Sequence, residues 1–310
     1  MDLSVNNVFR QALLGATQNR AVRGLVDRHG MSLGAARFVA GETVADVLEV
    51  LRALNRRGFK TNTTLLGEAI HDTATVQHVV DTYIEVIDRI AAEQLRTNVS
   101  VKLTQLGLDI SADEAYRNTA RIAEHAQQHG QFVRIDMEES TRVNATLAIY
   151  RRLLAEGHAN TGTVLQAYLY RTRNDLRALL PLEPNLRLVK GAYLEPPAVA
   201  YQRKRDVDIN YVKLLRKSLS EGGYTAVATH DDRVIDHVIN FTAKHGIGTE
   251  RFEFQMLYGI RQKLQEELLL SGYPVLVATP FGPEWYYYLM RRMAERPANL
   301  LFVLRQAVSP

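Results

Sequence analysis

The sequence predicts an α/β protein, a closed (β/α)8 barrel of the TIM type over residues 58–310, with an N-terminal helical segment, residues 1–57, packing on it. Three observations carry this reading. After Gly58, short β-rich runs alternate with amphipathic stretches of helical period at roughly 20 to 40 residue intervals, the pattern of parallel βα units. Eight such runs occur. Polar residues gather at their C-terminal ends, where barrels of this kind place their sites. A doubly wound open sheet is the alternative that the same alternation allows.

In the helical prefix, Val8, Ala12 and Leu13, then Val44, Val47, Leu48, Leu51 and Leu54, recur at helical spacing. The predicted strands lie in Phe59 to Leu66, Val99 to Leu103, Phe132 to Met137, Val164 to Leu169, Leu186 to Lys190, Thr225 to Thr229, Phe252 to Met256 and Val275 to Val277. Predicted helices occupy Val76 to Leu95, Ala112 to Gln128, Thr141 to Ala155, Ile209 to Ser220, Arg233 to Lys244 and Gly259 to Ser271. Ser111 stands three residues before Glu114, the spacing of a capping box, and Gly222-Gly223 reads as a C-cap pair. Pro196-Pro197 reads as part of an ordered βα loop.

The chain has 310 residues, 46% hydrophobic and 23% charged, enough to bury a large core. Its net charge of +4 is small, and Lys/Arg alternate with Asp/Glu, so a nucleic-acid partner is not expected. There is no cysteine, which removes disulfides, thiolate metal sites and a cysteine nucleophile. The first residues, broken by Asn, Gln and Arg, lack the apolar core of a signal peptide, and a cytoplasmic location is expected.

Within Leu186 to Tyr193 the strand run carries Arg187 and Lys190 through apolar sequence and stops at Gly191. Two such cations must find anions or acceptors. Lys102, Asp136, Gln166, Arg187, His230 and Gln255 all fall near run ends. By strand period Ser100 and Lys102 share one face, as do Arg134 and Asp136, leaving Val99, Val101, Val133 and Ile135 to meet the helices. Lys102 and Asp136 could equally form a structural ion pair across the barrel mouth, and His230 could be a satisfied core histidine. In the last helix, Tyr288, Arg291, Arg292 and Glu295 can share a face, suited either to a substrate carboxylate or to a plain Arg to Glu helix pair.

Neither a GxGxxG fingerprint nor a P-loop is present, and Gly246-Ile247-Gly248 lacks a preceding strand. HExxH is absent as well. His71-Asp72 and the pair His125 and His129 are the candidate metal ligands, but the pair shows no carboxylate partner in sequence, so no metal is expected.

Taken together, LVKGAY at Leu188 to Tyr193, RID at Arg134 to Asp136, LQAYL at Leu165 to Leu169, ATH at Ala228 to His230, FEFQML at Phe252 to Leu257 and YYLMRRMAERPAN at Tyr287 to Asn299 resemble the proline dehydrogenase family. The resemblance is to the monofunctional bacterial enzymes and to the flavin domain of bifunctional proline utilisation proteins. It implies a barrel holding FAD that oxidises L-proline to 1-pyrroline-5-carboxylate, with electrons passed to a membrane quinone. A peripheral contact with the inner face of the membrane, and handover of product to a 1-pyrroline-5-carboxylate dehydrogenase, would accord with that role.

By the same resemblance Arg187 lies by flavin N5. Val189, Lys190, Gly191 and Gln166 follow the isoalloxazine and ribityl chain, and Thr229, His230 and Gln255 lie towards the rest of FAD, with Arg292 also at the cofactor. Lys102, Arg291 and Arg292 bind the proline carboxylate. Asp136, Tyr193, Leu257 and Tyr288 line the ring, Glu295 orients the arginines, and Glu68 pairs with Arg291 as a lid. The family has a tyrosine near the end of the eighth strand where this chain has Ala278, which removes one packing contact over the substrate. Two other readings of the residues remain: a barrel lyase using Lys102 or Lys190 as a Schiff base, and a basic scaffold binding nucleic acid.

Overall fold

The computed structural model describes residues 37–67, 69–286, 288 and 289. Its first helix, α1 (Val44–Arg56), starts at Thr43, whose side chain accepts the Asp46 N–H while Asp46 caps Thr43 in return. The predicted stripe is its buried face, Val47, Leu48, Leu51 and Leu54. That face packs on the first and last strands, and Arg57 pairs with Glu266 of the helix that precedes the last strand.

From there strand and helix alternate: β1 (Lys60–Leu65), α2 (Thr73–Ala92), β2 (Thr97–Val101), α3 (Ala112–Gln128), β3 (Val133–Ile135), α4 (Val143–Ala155), β4 (Thr161–Gln166) and α5 (Thr172–Leu179). The second half adds β5 (Asn185–Val189), α6 (Lys204–Glu221), β6 (Tyr224–Ala228), α7 (Asp232–His245), β7 (Phe252–Leu257), α8 (Gln262–Leu270) and β8 (Val275–Phe281). The strands close in chain order into an eight-stranded parallel barrel, with β8 paired to β1 from Lys60↔Leu276 to Leu65↔Phe281. Closure decides against the open sheet.

Some boundaries differ from the sequence reading. Helix α5 was not predicted, because only Thr172, Leu176 and Leu179 of its eight residues are buried, too short a stripe to show a period. Strand β4 begins at Thr161 and ends at Gln166, so 167–169 belong to a turn, with Leu169 bridging to Ala200 beside the Pro196-Pro197 loop. Strand β8 runs on through Pro280, which lies beyond the part that pairs with β7, so its missing N–H breaks no ladder bond there. Gly222 does cap α6, but in an extended conformation. The glycine pair serves close approach: a Cβ at Gly223 would lie 2.4 Å from the Glu183 carbonyl oxygen.

The helix layer is tied to the strands by buried polar contacts. Fully buried Tyr83 of α2 donates its hydroxyl to the Ser100 carbonyl (2.8 Å) and accepts the Leu65 N–H (3.2 Å). Tyr83→Phe leaves both groups without that partner, so we expect it to lower unfolding free energy by about 1 to 3 kcal/mol in a denaturant titration.

Candidate active site

Strand β5 sets the centre. Leu186 and Leu188 face the helices fully buried, so Arg187 between them points into the barrel. Its Nε donates to Gln255 Oε1 of β7 (2.6 Å) and its Nη1 to Asp136 Oδ1, just past β3 (2.8 Å). Its Nη2 reaches Ser100 Oγ of β2 (3.1 Å) and Asn62 Oδ1 of β1 (3.4 Å). One side chain meets all these strands only through the barrel interior.

Asp136 receives a second cation, Lys102 Nζ, 3.3 Å from Oδ2. Burial opposes ionisation of Asp136, but Lys102 and Arg187 outweigh it and hold the carboxyl below the usual range. Two cations thus face one carboxylate, and the cluster carries surplus positive charge that suits an anionic ligand.

Deeper in, Gln255 Nε2 donates to Glu253 Oε1 (2.8 Å), whose other oxygen lies 3.3 Å from Lys60 Nζ. Arg134 is buried and donates to the Asn185 carbonyl (2.7 Å) and the Thr163 carbonyl (3.0 Å). Burial, with Arg187 nearby, pushes its pKa down to about 9.

Around the mouth, Lys190 lies between Asp208 of α6 (2.6 Å) and Asp231, the N-cap of α7 (2.9 Å). Thr229 Oγ1 accepts the Asp231 N–H (3.1 Å). His230 Nε2 accepts the Leu257 N–H (2.9 Å), so it is a satisfied histidine that fixes the end of β7. Gln166 donates to the Glu138 carbonyl (2.8 Å), and the buried Glu138 carboxylate accepts the Thr104 N–H (3.2 Å).

Val189 ends β5 and Gly191 follows with φ +112°, a backbone region that favours glycine. A Cβ there would lie 2.2 Å from the Tyr168 ring. Tyr193 is half-buried in the same loop, and Tyr288 packs against the cluster of Leu66, Trp285 and Leu289 beyond the ends of β1 and β8. Ala278 is partly exposed and stands in register between Asn62 and Leu257.

The structure therefore joins Lys102, Asp136, Arg187 and Gln255 in one cluster, and Lys190, Thr229, His230 and Leu257 along the β5 to β7 rim. Glu68, Arg291, Arg292 and Glu295 lie outside the described residues. Asn62 and Glu253 were not anticipated. Thr61, Asn62, Thr63 and Thr64 are polar on both faces, which hides the alternation, whereas Glu253 two residues before Gln255 on one strand was a readable signal. Gly246 caps α7 rather than opening a phosphate loop, and Asp72 caps α2 through the Thr75 N–H (2.8 Å).

A family model described as proline dehydrogenase matches residues 47–305. The chain belongs to the proline dehydrogenase family. It is 44% identical over 305 residues to the proline dehydrogenase of Deinococcus radiodurans, covering 97% of this chain and 98% of that one. To proline dehydrogenase 1 of Bacillus subtilis it is 43% identical over 298 residues, covering 96% and 98%. Among solved structures it resembles proline utilization A from Bdellovibrio bacteriovorus inactivated by N-propargylglycine, with a TM-score of 0.80 and 25% identity over 88% of this chain. The chain spans about a third (34%) of that longer protein. In this proline dehydrogenase family barrel the charged cluster joins residues of β1, β2, β5 and β7 with Asp136 just past β3.

One expectation is corrected away from this site. His125 and His129 do have a carboxylate partner, Asp88 of α2, which is 37 residues from His125 in sequence and invisible to spacing.

Proposed function

We propose that the chain catalyses the first step of proline catabolism, oxidation of L-proline to 1-pyrroline-5-carboxylate, with FAD as its cofactor. Bound FAD would supply the hydride acceptor at N5 and relay the electrons to a membrane quinone. The observation that carries this reading is the Arg187 guanidinium inside the barrel, held by Asp136 and Gln255 beside Lys102, with positive charge in excess.

The residues present suit a flavin. The Asn62 amide nitrogen is buried without a hydrogen-bond partner beside Arg187, leaving a donor for a ligand acceptor. Gly191 lets the backbone after β5 close onto the Tyr168 ring, where a Cβ would not fit. Gln166, Val189, Lys190, Gly191, Thr229, His230 and Gln255 are the proposed holding residues, with Arg292 and Arg187. Arg187 is proposed to stabilise negative charge gathering on the acceptor, its guanidinium already held by Asp136 and Gln255.

For the substrate, Lys102 is the described cation available to a carboxylate, and Arg291 and Arg292 are proposed to complete that clamp, oriented by Glu295 and covered by Glu68. Tyr193, Leu257 and Tyr288 are proposed to line the ring. Proline must lose a hydride from the carbon beside nitrogen and a proton from nitrogen. Asp136 stays ionised at neutral pH, so its work is to hold Lys102 and Arg187 in place, not to donate a proton. The lyase reading is disfavoured, since Lys102 and Lys190 are both ion-paired, and a Schiff base needs a free amine lone pair.

Among the described residues no helix is long and apolar enough to cross a membrane. The test is the visible spectrum of the purified protein. Flavin absorbance bleached by L-proline without oxygen, and restored by a soluble quinone, is expected. A colourless protein, or a spectrum indifferent to proline, overturns the proposal.

A further inference from the structure

On the outer helix layer, at the end of the barrel opposite the mouth, His125 in the last turn of α3 and His129 at its C-cap face Asp88 in the last turns of α2. The i and i+4 spacing puts both rings on one helix face. His125 Nε2 lies 2.6 Å and His129 Nε2 3.3 Å from the same oxygen, Asp88 Oδ1. The rings stand edge to face at 66° with centroids 5.1 Å apart, so two ring nitrogens and a carboxylate converge with their ligand atoms within 4.8 Å of one another.

We propose that Asp88, His125 and His129 bind one divalent cation of the zinc class, which staples α2 to α3. Zinc takes imidazole nitrogen and carboxylate oxygen at about 2.0 to 2.2 Å, so its tetrahedral ligands stand roughly 3.3 Å apart. The spacings observed bracket that value, and small side-chain rotations reach it. Two imidazoles select against magnesium and calcium, which prefer an all-oxygen shell. The side chains are 25%, 35% and 51% exposed, leaving water to complete the coordination.

Two further features favour a cation here. Both helices present their C-terminal ends to the site, where the backbone carbonyls carry partial negative charge. The helix pair is also held in place around it, by Arg121 to Asp81 (3.0 Å), Gln77 to Asn118 (3.2 Å) and Gln131 to the Ile87 carbonyl (2.9 Å). A plain ion pair would need only one ring; here two compete for one oxygen.

The test uses full-length protein purified without a histidine tag, freed of metal by chelator and titrated with ZnCl2 by calorimetry. One zinc per chain is expected, with a rise in thermal midpoint that MgCl2 does not give. Asp88→Asn, His125→Ala and the milder His129→Gln should each weaken zinc binding at least tenfold and abolish that rise, while His245→Ala leaves both intact. Proline turnover should stay unchanged in all of them, which separates failure here from failure of the proposed activity. Absence of a saturable site, or affinity unchanged across the three ligand variants, overturns the proposal.

Discussion

Arg187→Met should lower kcat for proline oxidation by about 100- to 1,000-fold, the range seen when a preorganised donor at a reacting centre is removed. The variant deletes the charge and takes a donor from four acceptors at once, Gln255 Oε1, Asp136 Oδ1, Ser100 Oγ and Asn62 Oδ1, of which the last two keep their bond to each other (2.8 Å). Asp136 keeps Lys102, so folding survives better than catalysis. Arg187→Lys should recover only part of the rate, since an ammonium cannot present the planar fork that spans strands β1, β2, β3 and β7. Stopped-flow reduction by L-proline reads this directly, and wild-type rates in the Met variant would remove Arg187 from the reacting centre.

Asp136→Asn should act on stability as much as on rate. It leaves Lys102 and Arg187 facing each other with no counter-charge, and breaking a buried pair in this way costs about 3 to 5 kcal/mol. The pH dependence has a definite sign. Because the folded carboxyl is held below its usual value, the stability it contributes is complete above the unfolded carboxyl pKa of roughly 3.9. It is lost as pH falls through the lower folded value. The gap between wild type and Asp136→Asn should therefore be the same at neutral pH and at pH about 5, and close only below roughly pH 4. Denaturant midpoints across that range check it, and a gap that closes between neutrality and pH about 5 would mean that the carboxyl is not held low.

The barrel was legible because several strands have one apolar face and one that is not. Val99, Ser100 and Val101 alternate in β2 with Lys102 just past it, and Leu186, Arg187 and Leu188 alternate in β5, so the inward residues could be read directly. Lys102, Asp136, Arg187 and Gln255 came out of that pattern and do meet in space. Where the alternation fails, so did the reading: the Thr-rich β1 concealed Asn62, and α5 is too short to show a helical face. Partners supplied by distant helices, such as Asp208 for Lys190 and Asp88 for His125, leave no local trace, because only folding brings them near.

The Arg187 fork has a consequence for how this barrel tolerates change. Since its donors already bridge separate staves of the barrel, Asn62, Ser100, Asp136 and Gln255 form a single electrostatic unit. Damage to two of them should not sum, because the first loss already frees the guanidinium to swing. Such residues can drift only in concert, so substitutions across this network should be strongly epistatic.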